Sequence, residues 1–154
     1  MSTRTLRGTT AVVGVAETTY YKWGRSPDPE FKLAIEAVIR ACENAGISPK
    51  DVDGFSSYSN DRSDASRLSA AIGAKQLSFA SMQWGGGGGG GSGAVANAAA
   101  AIATGQAECV VVFRALAQGQ FGRFGQGARS KTVSGAAAHT LPFGLMSADR
   151  KSVV

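Results

Sequence analysis

Gly90, Gly91, Ser92 and Gly93 lie where a run of seven glycines, 85 to 91, meets an alanine-rich stretch. Such a run costs backbone entropy, so a folded chain keeps it where side chains would be in the way. A glycine loop that opens a helix turns free backbone N–H groups and the positive end of the helix dipole toward whatever sits beside it. That setting suits an oxyanion, a carbonyl or a phosphate, and it makes these four residues candidate substrate contacts. Basic residues follow at Arg114, Arg123, Arg129 and Lys131. They can face an anionic ligand such as a CoA phosphate, a nucleic acid, or only water.

No catalytic residue emerges from the remaining reactive side chains. Cys42 and Cys109 each sit inside an apolar run and read as small buried hydrophobes. Ser92 has no base beside it in sequence and reads as a helix cap. His139, the one histidine, is a lone loop residue of the kind that is usually incidental. A nucleotide phosphate loop is disfavoured: no Lys-Ser/Thr pair follows the glycines, and a dinucleotide fold would place its glycine loop after the first strand.

The elements that must hold this loop can be read in order. Thr9 to Ala16, TTAVVGVA, predicts a short strand buried on both faces, followed by an aromatic loop with Tyr20, Tyr21 and Trp23. A helix opens at Pro27–Glu30, carries an apolar stripe at Leu33, Ala34, Ala37, Val38, Ala41, Cys42 and Ala45, and stops at Gly46. In the turn from Ile47 to Gly54 the apolar residues tuck under while the charges stay wet. Phe55 to Ser59 is a short strand. Asp61 to Ala71 is a second helix capped by Asp61 or Ser63, and Gly73 ends it. Gln76 to Trp84 alternates and delivers the chain to the glycines. The helix after them, with only Asn97 polar between Ala94 and Ala103, is predicted to be packed on all sides. Glu108 to Phe113 is a continuous apolar run of the kind found at the centre of a parallel sheet. The glycine-, glutamine- and arginine-rich stretch from 118 to about 140 has no period and reads as a long loop. Alternating strands and helices imply an α/β layered fold with a mostly parallel sheet.

Bulk properties bound the function classes. A chain of 154 residues with 44% hydrophobic and 18% charged content suits one domain with a core, or one half of something larger. Its net charge of +5 comes with no zinc-finger, RNA-recognition or helix-turn-helix signature. Two cysteines exclude a disulfide scaffold and a cysteine zinc site and suit a reducing cytoplasm. No signal-peptide pattern or stretch of membrane-spanning length is present.

The strand TAVVGVAET, the helix end ENAGISPKDVDGF, the unit closing with IATGQAECVVVFRA and the later PFGL segment together resemble the thiolase superfamily. VVVFRALAQGQFGRFGQGARS is similar to the sterol carrier protein-x and lipid-transfer-protein-like branch, the steroid side-chain aldolases, and the likeness covers nearly all of residues 9 to 147. The resemblance implies the N-terminal half of a two-half thiolase-like fold, with the alanine helix buried at its centre, and a chain that stops before the second half. It implies a parent enzyme that makes or breaks a C–C bond in an acyl-CoA of lipid or steroid degradation, a retro-aldolase or acyltransferase. It implies the CoA thioester as substrate with no separate cofactor or metal, Arg123 near the ligand, and Gly90, Gly91, Ser92 and Gly93 around the acyl carbonyl. The implied partners are a second copy of the chain, paired through the strand from Leu77 to Gln83, and a small OB-fold and zinc-ribbon acyl-CoA-binding protein. Neither nucleic acid nor membrane is expected. Thiolases proper carry a nucleophilic cysteine at the turn matching Gly88 to Gly93. Here that turn has no thiol, which leaves open a non-catalytic chain that binds acyl-CoA or lipid or pairs with another subunit.

Overall fold

The structure, a computed structural model, describes residues 6–58, 61–83 and 89–121. Its order is α1 (Glu30–Ala45), a 3-10 turn (Pro49–Asp51), β1 (Gly54–Tyr58), α2 (Ala65–Ile72), β2 (Phe79–Gln83), α3 (Gly90–Ala103), β3 (Val110–Val112) and the short α4 (Gln118–Phe121). The three strands form one parallel sheet in the order β2-β1-β3, so the α/β layered arrangement expected from the sequence is the one observed.

Apolar spacing explains α1, which buries Ala34, Val38 and Cys42. Gly46 ends it at φ 70°, and the N–H groups of Gly46 and Ile47 close on the carbonyls of Glu43 and Cys42. Val38, Cys42, Val52, Phe55, Leu68 and Ile72 meet in one core, with the Phe55 and Phe113 rings edge to face at 6.1 Å. Helix α2 begins at Ala65, and its cap is Asp64, whose carboxylate accepts from the N–H of Ser66 and Arg67. The expected caps do other work. Asp61 is buried and accepts from the N–H of Ser63 at 2.7 Å and of Ala115 at 2.9 Å, so it joins two loops.

Two strand placements and the burial of one acid depart from the expectations. Among the described residues the apolar run Val110–Val112 is an edge strand, and the centre is β1, whose Phe55, Ser56 and Ser57 are all at least 97% buried. Asp53, expected to stay wet, is 7% exposed. Its carboxylate accepts from the N–H of Glu108 and Cys109 at 2.9–3.1 Å, while its backbone oxygen accepts from Ser78 and Phe79. One residue thereby clasps the starts of all three strands.

Thr9 to Ala16 has no regular structure, and Val12, Val13 and Val15 are 77%, 61% and 72% exposed. The segment is tied to α1 instead of a strand. A Cβ on Gly14 would lie 2.5 Å from the Ala41 carbonyl oxygen, the Val15 N–H donates to Asn44 Oδ1, and Arg40 donates to the Glu17 carbonyl. Phe55→Ala is expected to cost about 3–5 kcal/mol in urea denaturation, and Val12→Ala less than about 0.5 kcal/mol. Equal losses would place the 10–16 segment in the core.

Candidate functional site at the carboxyl ends of the strands

In parallel α/β sheets ligands bind beyond the carboxyl ends of the strands. Here that end carries a row of three polar side chains. Tyr58 is the last residue of β1 and pairs in register with Gln83, the last of β2. Arg114 lies two residues beyond Val112, the register partner of Ser56, which puts it on the same face as Tyr58. The Arg114 guanidinium lies over the Tyr58 ring, 4.4 Å from its centroid.

Helix α3 lies on that face with its head over the row. Ser56 donates its hydroxyl to the Ala94 carbonyl at 2.9 Å, and Asn97 donates to Ser81 Oγ at 3.0 Å. Serines below and alanines above bring helix and sheet close together. Gly90, Ala94, Ala98 and Ala101 form the buried face. The rest of the helix is not enclosed: Val95 is 46% exposed, and Ala96 and Ala103 are exposed. One face of small residues accounts for the sheet contact, so in this chain the helix is packed on one side instead of all sides.

The four predicted contact residues come together here. A Cβ on Gly90 would lie 2.5 Å from Tyr58 Cδ2, and one on Gly91 would meet Tyr58 Cε1, Cζ and Oη at 3.6–3.7 Å. A Cβ on Gly93 would meet the flexible end of Gln83 at 3.1–3.2 Å. At Gly90 the missing side chain therefore makes room for a ring of the protein itself. The cap is Gly89, no side chain caps the helix, and Ser92 lies exposed within the first turn. Ser92 is thus not the cap it was expected to be, and the positive end of the helix dipole faces the strand ends with no side-chain cap among the described residues. Arg123, His139, Arg129, Lys131 and the segment 84–88 lie outside the described residues.

Two hollows meet the row at Arg114 alone. One, of about 500 Å³, is apolar and runs between residues 10–16, α1, α3 and β3. The other, of about 480 Å³, adjoins the aromatic loop and residues 114–120. Arg114 lines both. Its backbone position is fixed by buried acids that accept from the next residues: Asp61 from Ala115, and Glu30 from Ala117 at 2.7 Å. Glu30, 3% exposed, is also 3.5 Å from Arg62.

The sequence reading passed over Tyr58 and Gln83 and placed Arg114 in a diffuse basic group. Their signal was positional: each is the polar residue where a short strand stops.

Among the described residues no cluster of histidine, cysteine, aspartate or glutamate could hold a metal. Neither cysteine is an activated thiol. Burial pushes the Cys42 thiol up, as does nearby Glu43. Burial also raises Cys109, with further contributions from Cys42, Asp53 and Asp51. A raised pKa leaves less thiolate at neutral pH, so iodoacetamide at pH 7.5 should alkylate both more slowly than free cysteine. Equal or faster labelling would contradict that assignment. Gly90→Ala is expected to destabilise by about 1–3 kcal/mol through overpacking. Gly91→Ala, with ordinary contact distances, should change stability by less than about 1 kcal/mol in the same urea titration.

No family model matches the chain. Over 123 residues it is 41% identical to a 17-hydroxy-3-oxo-4-pregnene-20-carboxyl-CoA lyase of Mycobacterium tuberculosis, covering 79% of this chain and 31% of that protein. Over 147 residues it is 40% identical to a steroid side-chain-cleaving aldolase of Thermomonospora curvata, covering 91% of this chain and 36% of the relative. A solved structure of an Ltp2-ChsH2(DUF35) aldolase superposes with a TM-score of 0.67 at 39% identity, over 88% of this chain and 33% of that one. The chain spans about a third of the length of each. Homologues of this chain are steroid side-chain-cleaving aldolases, and the likeness covers one part of them.

Proposed function

We propose that this chain is the N-terminal part of a thiolase-like retro-aldolase that cleaves a C–C bond in a β-hydroxyacyl-CoA of steroid side-chain degradation. The observation that carries the reading is the 40% identity across 147 residues, a span that includes the strand ends and the head of α3. In such a cleavage a base takes the proton of the β-hydroxyl and the bond between the α- and β-carbons breaks. Its electron pair moves onto the thioester as an enolate, and the β-carbon leaves as a ketone or aldehyde. The negative charge collects on the thioester oxygen, so the part of the protein that holds that oxygen needs preorganised donors.

The first turn of α3, with Gly90, Gly91, Ser92 and Gly93, supplies such donors without requiring a thiol. Arg123 is assigned to the ligand side of the same site. The CoA thioester is the substrate, and no further cofactor enters this reading. The strand β2 lies at the sheet edge, which suits pairing with a second copy of the chain. The relative of known structure carries ChsH2(DUF35) beside its aldolase component, which supports a partner protein here. We assign that role to an OB-fold and zinc-ribbon acyl-CoA-binding protein. Two free thiols suit a reducing cytoplasm. Among the described residues no helix is long and apolar enough to cross a membrane.

The test uses the full-length protein containing this chain, with its partner, and 17-hydroxy-3-oxo-4-pregnene-20-carboxyl-CoA, the compound for which one relative is named. Release of the 17-ketone with a shortened acyl-CoA is expected. Binding of the thioester by calorimetry with no ketone release would overturn the aldolase reading in favour of a non-catalytic acyl-CoA-binding chain.

A further inference from the structure

We infer that the hydroxyl of Tyr58 is itself a catalytic hydrogen-bond donor to the acyl thioester oxygen, an inference that rests on the acyl-CoA reading above. The ring is fixed before any ligand arrives. Its Cδ2 edge takes the space that a Gly90 side chain would need, and its Cε1, Cζ and Oη run along Gly91, so the hydroxyl ends at the first turn of α3. The Arg114 guanidinium lies over the ring at 4.4 Å. Tyr58 closes the central strand, the place in the sheet from which a side chain reaches a ligand beyond the strand ends. A phenol so placed donates to an oxygen whose charge grows during C–C cleavage, and its orientation costs nothing further at that moment.

This gives the Gly90–Tyr58 contact a purpose beyond packing. The glycine leaves room for the ring against the helix head, with Cε1, Cζ and Oη running along Gly91. Other strand-end side chains lack this arrangement. Gln83 meets Gly93 through a flexible end, and Arg114 serves as a positioning residue through its stack on the ring.

The experiment compares wild type and Tyr58→Phe in the full-length protein with its partner, because phenylalanine keeps the ring, the glycine contact and the cation–π stack. With 17-hydroxy-3-oxo-4-pregnene-20-carboxyl-CoA, kcat should fall roughly 100-fold, the loss typical of one oxyanion donor, while the melting temperature holds. A kcat within twofold of wild type overturns the inference, as does a fall that is matched by loss of the folded state. If wild type does not cleave this compound, the aldolase reading fails separately. Calorimetry with the same thioester and with free CoA then decides the Tyr58 assignment. Weaker binding of the thioester alone in Tyr58→Phe supports it, and unchanged binding of both overturns it.

Discussion

Everything at the strand ends depends on a steric exchange between one tyrosine and one glycine. Tyr58 leaves the central strand on the face that α3 covers, and its ring occupies the volume that any side chain on Gly90 would claim. Below it the same face carries Ser56 and Ser81, whose hydroxyls bond to α3 at Ala94 and Asn97. The alanine content of the helix and the serine content of the sheet are two halves of one fit. Small residues on both sides permit a close approach, and the hydroxyls satisfy the polar groups that this approach buries. The head of the helix is thereby fixed over the strand ends, with its first-turn N–H groups turned toward the place where a ligand of a parallel sheet would sit.

Buried carboxylates hold the rest of the frame. Asp53 gathers the starts of the strands, Asp61 joins the loop after β1 to the residue after Arg114, and Glu30 takes the N–H of Ala117. Each accepts backbone N–H groups that would otherwise be buried without partners, which is the condition under which a buried acid is tolerated. Asp61 and Glu30 together set the position of the chain that leaves β3, and so of Arg114. Fold and site are connected through these bonds, because Asp61 and Glu30 hold the backbone that follows Arg114, whose guanidinium stacks on Tyr58.

Local chemistry was legible from the sequence where local patterns decide the outcome. The stripe of α1 and its stop at Gly46, the strand leading into the glycines, the helix that follows them and the parallel α/β order could all be read residue by residue. The rank of a strand within the sheet could not. Among the described residues Val110–Val112 is the more apolar strand yet lies at an edge, while the Gly54–Tyr58 strand, with its two serines, lies at the centre. Apolar content reports what the faces of a strand meet, whereas centrality is set by which backbones it pairs with. The Thr9–Ala16 segment carries strand-forming residues but is held by α1. The glycine run was recognised as a place from which side chains are excluded. What excludes them at Gly90 is a tyrosine distant in sequence, and no local pattern reveals a contact of that separation. Membership of the strand-end row was hidden for the same reason.

The most direct measurement of this central contact is a double-mutant cycle on stability that combines Gly90→Ala with Tyr58→Ala. With the ring removed, alanine at position 90 has room and gains helix propensity, so the second substitution should be neutral or stabilising by up to about 1 kcal/mol. If Gly90→Ala destabilises as much without the ring as with it, the glycine answers to something other than Tyr58, and the account of the helix head is wrong.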